Sequence, residues 1–97
     1  MVKTVNDMPP GGYGIIKEVN SSPNIKQRFM DMGIIEGAKV TMVRSAPLDD
    51  PVEIKVLGTL LALRRIEART LVIDYLGVTP RDRKKHRYRF GRKSQQR

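Results

Sequence analysis

The groups that could perform catalysis or bind a metal are few in this sequence. Its 97 residues contain no Cys and one His, His86, so a nucleophile paired with a histidine base cannot be assembled in the main part of the chain. Asp49 and Asp50 are the sole clustered acids, and adjacent side chains usually point apart, which favours a solvated turn over a metal site. We therefore expect no enzyme activity, no metal site and no cofactor.

Two other segments could bind anions. Residues 11–14 contain three glycines, as phosphate-binding loops do, but no strand precedes them and no helix follows, so a turn is predicted instead. Arg64 and Arg65 could form an anion patch, yet Glu67 follows closely and favours a solvated charged turn.

The positive charge is confined to one end of the chain. The formal net charge is +9, but residues 1–79 hold ten Lys/Arg against nine Asp/Glu, a net +1, whereas residues 80–97 hold nine against one, a net +8. This distribution predicts two regions: a nearly neutral domain over 1–79 and a basic tail over 80–97. The tail has only Tyr88 and Phe90 to bury, so we expect it to be disordered when alone.

The chain carries signs of a cytoplasmic protein. It lacks cysteines, lacks an apolar run of membrane-spanning length, and has polar residues and prolines near its start, where a secretory signal needs an apolar segment. We expect a cytoplasmic protein, with the tail as a means of peripheral attachment to the inner face of the membrane.

The hydrophobic pattern predicts a mostly β fold. A turn-rich lead-in over 5–14 precedes a strand at 15–19, and period-two alternation from Ala38 onward predicts further strands, with Gly58-Thr59 as a type II′ hairpin turn. Short strands separated by frequent turns are typical of small barrels, which avoid exposed sheet edges. The expected architecture is an SH3-like barrel of about five strands with one short helix and a helical turn.

The helix should begin after Ser22, because Pro23 suits the first helical position. Ile25, Phe29 and Met32 share one face at helical spacing, which predicts an amphipathic helix of about three turns. A glycine at position 33 can adopt the left-handed conformation that ends a helix, and the next residue, Ile34, could pack back on Phe29.

Four segments, in order, resemble motifs of the FeoA family of bacterial ferrous iron transport. The family patterns are Leu-x-x-Leu-Pro-Pro-Gly followed by a strand, Arg-Leu-x-x-Met-Gly-Ile-x-x-Gly-x-x-Val, Ala-Pro-Leu-Gly-Asp-Pro followed by a strand, and Leu-Arg-x-x-Glu-Ala. Their counterparts here are Val5–Ile16, Arg28–Val40, Ala46–Gly58 and Leu63–Ala68. Asp49 stands where the family usually has Gly, which bears on the backbone conformation of that loop, and the tail is longer than expected of the family.

The resemblance implies a regulatory partner: the GTP-hydrolysing cytosolic domain of the transporter's large membrane subunit. The candidate contact residues lie in two places. Met30, Gly33 and Ile34 are at the helix end, and Pro47, Leu48, Asp50 and Pro51 are in the loop after the next predicted strand. Tail residues form a second candidate set, for contact with an anionic surface such as the membrane: Arg81, Arg83, Lys84, Lys85, Arg87, Arg89, Arg92 and Lys93.

Two alternatives remain open on the residues alone. The chain could be a small nucleic-acid-binding barrel, or the SH3-like domain of a metal-dependent repressor standing by itself. Tyr88 and Phe90 among the tail cations favour nucleic acid, because aromatic rings can stack on bases. The near-neutral charge of residues 1–79 makes nucleic acid the weaker hypothesis, since a binding surface there should be basic.

Overall fold

Six antiparallel strands form one sheet in the computed structural model of the chain, which describes residues 2–79. The strands are β1 (Val2–Thr4), β2 (Gly12–Val19), β3 (Lys39–Ser45), β4 (Val52–Val56), β5 (Thr59–Leu63) and β6 (Leu71–Val78). A 3₁₀ turn (Val5–Asp7), helix α1 (Pro23–Asp31) and the single-turn helix α2 (Arg65–Ala68) connect them. The mostly β class predicted from the sequence is confirmed, with one strand more than expected.

The strands follow the order β1-β6-β2-β3-β4-β5 across the sheet. Register shifts occur in β2 against β6 and in β3 against β4. Such bulges bend strands and increase their twist, which lets the sheet curl around one core. Within residues 2–79 no ladder joins β5 to β1, and on that side α2 lies against the 3₁₀ turn.

The interior of the curled sheet is apolar and includes side chains from the segment around α1. Its fully buried large side chains are Ile16, Phe29, Ile34, Ile54, Leu63, Leu71 and Ile73. Burying each of them contributes about 1.5–3 kcal/mol before chain entropy is subtracted. Phe29 and Ile34 therefore anchor the end of α1 in the same core that the strands share.

Helix α1 begins and ends where the sequence predicts. Ser22 is the N-cap residue and Pro23 the first helical residue, although the Ser22 hydroxyl makes no capping hydrogen bond within residues 2–79. At the other end Gly33 has φ +87°, its N–H donates to the Met30 carbonyl (3.0 Å), and the Ile34 N–H donates to the Phe29 carbonyl (2.9 Å). These two bonds define a Schellman motif, so the predicted helix end is confirmed.

The turn-rich lead-in predicted over 5–14 is partly wrong, because strand β2 already begins at Gly12. A Cβ at Gly14 would lie 2.5 Å from the carbonyl oxygen of Asp74 on β6, so the close approach of two strand backbones requires glycine here. The prediction also missed β1, whose three residues pair with Val72, Ile73 and Asp74.

The hairpin between β4 and β5 turns one residue earlier than predicted. Val56 pairs with Thr59, so the two-residue turn is Leu57-Gly58. Both turn residues have positive φ, +54° and +79°, as a type I′ turn requires and a type II′ turn does not. The prediction placed glycine first because that is its usual position in a type II′ turn, whereas here Leu57 adopts the left-handed conformation.

The basic tail over 80–97, predicted to be disordered, lies outside the described residues. Among the described residues, no helix has both the length and the apolar character needed to span a membrane.

We predict that Gly33→Ala lowers the free energy of unfolding by about 2 kcal/mol. The alanine would adopt a positive φ, which costs about 1 kcal/mol or more, and its Cβ would lie 2.9 Å from Leu57 Cδ1. Urea unfolding followed by circular dichroism measures the change.

Gly37→Ala is the matched control, because Gly37 has φ +92° and no heavy atom within 4 Å of the added Cβ. It should cost only about 1 kcal/mol, the conformational part of the penalty. Equal losses in the two variants would show that the contact with Leu57 is unimportant.

Candidate partner-binding surface

The structure divides the predicted partner-contact residues into two groups. Met30, Gly33 and Ile34 lie at the end of α1, next to the hairpin turn that follows β4. Pro47, Leu48, Asp50 and Pro51 lie in the loop that precedes β4. Strand β4 spans about 13 Å between these ends, at roughly 3.3 Å per residue. The two groups are therefore separate surfaces.

At the end of α1, one of the three predicted residues is unavailable for contact. Met30 is 52% exposed, but Ile34 is 0% exposed and belongs to the core. Its burial follows from the Schellman motif, which turns the residue after Gly33 back toward Phe29. Ile34 is thus corrected from a surface contact residue to a core residue.

Leu57 belongs to this surface and was missed by the sequence analysis. Its side chain is 80% exposed, and its Cδ1 lies over Gly33, as the 2.9 Å approach to a Cβ at that glycine shows. Positive φ is rare for a bulky residue and marks a position to inspect for function. We call Met30, Gly33 and Leu57 the hairpin patch. The sequence did contain one indication of this position: Gly58 follows the apolar residue Leu57, and glycine is common in two-residue turns.

The second group lies in a tightly turned loop, residues 46–51. The Asp49 N–H donates to the Ala46 carbonyl (2.7 Å), and the Ala46 N–H donates to the Pro51 carbonyl (2.9 Å). Leu48 at the tip is 90% exposed, more than any other large apolar residue among those described. Asp49 has φ +72°, which is the left-handed conformation. Glycine adopts this conformation most easily, and glycine is the usual residue at this position in the FeoA pattern quoted above.

Arg65 holds loop 46–51 in place. Its guanidinium donates to the carboxylate of Asp49 (2.8 Å), to the Asp49 carbonyl and to the Asn6 side chain (2.8 Å). Its backbone N–H donates to the Asp50 carboxylate (3.1 Å). The Arg65 side chain is only 24% exposed. The prediction of a solvated charged turn is therefore wrong for Arg65, which joins loop 46–51, α2 and the 3₁₀ turn.

Asp49 and Asp50, the two acidic residues of the loop, contact Arg65 and Arg64. The hydrogen bond from Arg65 lowers the pKa of Asp49 below its ordinary value of 3.8; a hydrogen bond with Ser45 and the Arg65 charge act in the same direction, against a small desolvation effect. Arg64 Nε lies 3.7 Å from Asp50. No cluster of three or more His, Cys, Asp or Glu suited to a metal occurs in the described part of the chain.

A second ion pair joins the two helices. Arg28 on α1 pairs with the carboxylate of Glu67 on α2, and Glu67 also accepts a hydrogen bond from the Arg64 N–H (3.1 Å). Because Glu67 is 17% exposed, this contact is partly shielded from solvent. The contact connects two of the segments that carry the family resemblance.

The candidate residues for an anionic surface all belong to the tail, Arg81 to Lys93, and lie outside the described residues. The surface that the structure describes therefore comprises the hairpin patch and loop 46–51.

Comparison with known proteins gives a consistent family match. A model described as the FeoA domain matches residues 3–75. The chain is 26% identical over 72 residues to the Fe(2+) transport protein A/Fe(2+) transporter FeoB fusion protein of Porphyromonas gingivalis, a match that covers 74% of this chain and 8% of that protein. The chain thus spans a small part of this relative.

Solved structures share the fold. The solution structure of FeoA from Chlorobium tepidum is 32% identical with a TM-score of 0.71, covering 92% of this chain and 90% of that one. FeoA from Stenotrophomonas maltophilia, described as a prokaryotic SH3 domain protein complexed with zinc, is 27% identical with a TM-score of 0.61, covering 73% and 88%. The SH3-like class predicted from the sequence is confirmed.

A manganese-dependent transcriptional repressor also superposes, with a TM-score of 0.70, 12% identity and coverage of 77% of this chain and 41% of that one. At this identity the likeness shows a shared fold alone.

We predict that Arg65→Met lowers the free energy of unfolding by about 1–2 kcal/mol, because three side-chain hydrogen bonds are lost and their acceptors must be solvated again. Arg64→Met is the control: that side chain is 71% exposed and makes one long contact, so its loss should cost less than about 0.5 kcal/mol. Chemical denaturation of both variants tests this. Equal effects would contradict the role given to Arg65.

The Asp49 carboxylate should make stability depend on pH in acid. Its pKa is lower in the folded than in the unfolded state, so its ionised form stabilises the fold at neutral pH. That contribution should be lost as the pH falls below about 3.8 toward the lowered pKa. The stability difference between the wild type and Asp49→Asn, from denaturation at pH 7 to 2.5, should be constant above about pH 5 and shrink below pH 4. A pH-independent difference would refute this.

Proposed function

Because the chain belongs to the FeoA family, we propose that it is an accessory protein of ferrous iron uptake that acts by contact with the transporter. The proposed partner is the GTP-hydrolysing cytosolic domain implied by the family resemblance. The Porphyromonas gingivalis relative supports this pairing, since its name joins transport protein A and the transporter FeoB in one fusion protein. Fusion raises the effective concentration of two modules, so even a weak contact between them is populated.

The observation that carries the proposal is the hairpin patch. Leu57 is 80% exposed and Met30 52% exposed, and the Leu57 side chain lies over Gly33 at the helix end. Apolar side chains that project from a well-ordered turn suit insertion into a pocket on a partner, where a few residues provide most of the binding energy. The hairpin patch contains no charged residue, so the proposed contact does not rely on ion pairs from it.

Loop 46–51 offers the second proposed contact, through Pro47, Leu48, Asp50 and Pro51. Leu48 projects from its tip, and Arg65 fixes the loop backbone below it. Ile66, which follows Arg65 in α2, is also 70% exposed. The hairpin patch is the primary contact in our proposal, because residues from two separate elements build it.

The tail is proposed to attach the protein to the inner face of the membrane, beside the transporter. Each Lys or Arg near an anionic lipid surface contributes about 1 kcal/mol. Tail residues such as Arg81 and Lys93 would then hold the folded body close to its partner without contributing to the specific contact.

We predict that Leu57→Ser weakens binding to the isolated cytosolic domain of the transporter at least tenfold, about 1.4 kcal/mol, whereas Leu48→Ser changes it less than about threefold. Both leucines are highly exposed, at 80% and 90%, so each variant controls for the other. Isothermal titration calorimetry with GDP and with a non-hydrolysable GTP analogue measures binding.

The outcomes separate the parts of the proposal. The opposite order of effects would move the contact to loop 46–51, and no binding in either nucleotide state would refute the transporter contact. A chain ending at residue 79 should bind the soluble domain as the full chain does, because the tail is assigned to lipid. Weaker binding by the shortened chain would contradict that assignment.

A further inference from the structure

Strand β5 is an open edge of the sheet. It pairs with β4 on one side, and within residues 2–79 no other strand or helix approaches it comparably. Exposure agrees: Thr59, Leu60 and Ala62 are exposed, and even Leu61, on the core side, is half-buried. Sheet edges offer unpaired backbone groups to other chains.

This edge lacks the usual protection against pairing. Its five residues are Thr-Leu-Leu-Ala-Leu, without a charge, a proline or a glycine, and Leu60 is 56% exposed. Natural edge strands usually carry an exposed Lys, a proline or a bulge that prevents association. The ladder between β4 and β5 runs without a register shift, so β5 is also regular.

The register identifies which backbone groups are free. In a two-residue hairpin the residues flanking the turn, here Val56 and Thr59, exchange hydrogen bonds, and bonded pairs alternate with non-bonded pairs along the ladder. Leu60, opposite Lys55, and Ala62, opposite Glu53, are therefore in non-bonded pairs. Their N–H and C=O groups point away from β4, toward the open edge.

We propose that two copies of this chain pair through their β5 edges, antiparallel, with a two-fold axis at Leu61. Leu60 of each copy then lies opposite Ala62 of the other, and the two pairs exchange four backbone hydrogen bonds. The larger leucine meets the smaller alanine on the outer face, and Leu61 meets its own copy on the inner face. The uncharged strand brings no like charges together, so a second copy fits this edge.

The outer face of the continuous sheet places no like charges side by side across the interface. Across the two copies one row contains Lys55, Leu60, then Ala62 and Glu53 of the second copy, so charges of opposite sign lie at its ends. The two-fold axis uses the β5 edges of both copies, so association through this edge stops at a dimer.

The dimer should be weak and strengthened by salt. Two five-residue strands bury less than the roughly 1,200 Å² of a standard interface, which indicates a reversible association with a dissociation constant of about 0.1–1 mM. Each copy carries +9 formal charges that repel one another. Raising the salt concentration screens that repulsion, whereas it would weaken binding to an anionic partner.

Sedimentation velocity of the full chain tests the proposal without any partner. The protein should be mainly monomeric at about 10 µM and at least about half dimeric near 1 mM, and 0.5 M NaCl should increase the dimer fraction. Leu60→Lys combined with Ala62→Lys should weaken dimerisation at least tenfold, because it places charges on the paired edge. Leu48→Lys, which adds a charge to loop 46–51, should dimerise as the wild type does.

Amide hydrogen exchange of the wild type gives a second, variant-independent test. The Leu60 and Ala62 amides should exchange rapidly when dilute and become protected as the concentration rises. The Leu61 amide, bonded to β4, should be protected throughout. A monomer at all concentrations, unchanged exchange at Leu60 and Ala62, or an unaffected double-lysine variant would overturn the proposal. None of these results depends on the transporter contact.

Discussion

The fold depends on Arg65 at the place where the sheet does not close. Strands β1 and β5 are the two edges of the sheet, and in the described chain no backbone ladder links them. Arg65 follows β5 in the chain, and its guanidinium reaches Asn6, which follows β1, while two further bonds hold Asp49. One planar side chain with several donors thus links segments next to the two sheet edges, where no strand pair links them. A lysine could not form the same set of hydrogen bonds, because it has a single nitrogen.

The sequence predicts well what depends on neighbours in the chain. Ser22, Pro23 and Gly33 mark the ends of α1 through local backbone preferences, and the alternation in β3 and β4 reflects burial of every second side chain. The prediction from sequence fails where the structure depends on contacts between residues far apart in the chain. Strand β1 is defined by pairing with β6, about 70 positions away, and Arg65 contacts Asn6 across 59 positions. Leu57 was missed because glycine suits either position of the turn.

The described surface separates two kinds of interaction. Some of its charged side chains form ion pairs with one another, such as Arg28 with Glu67 and Arg65 with Asp49. Its exposed apolar side chains lie in several elements, such as Met30 on α1, Leu48 in loop 46–51 and Leu60 on β5. Over residues 1–79 the net charge is close to zero, and the excess of positive charge lies in residues 80–97.

The backbone of Leu57 has a thermodynamic consequence for recognition. A left-handed leucine costs of the order of 1 kcal/mol, and this cost is the same whether a partner is present or absent. It therefore reduces folding stability without reducing affinity. In return, the turn is ordered before any encounter, so the contact proposed for Leu57 would lose little backbone entropy on binding. In the proposed contact, a lower folding stability therefore accompanies a rigid, exposed leucine at the end of the barrel.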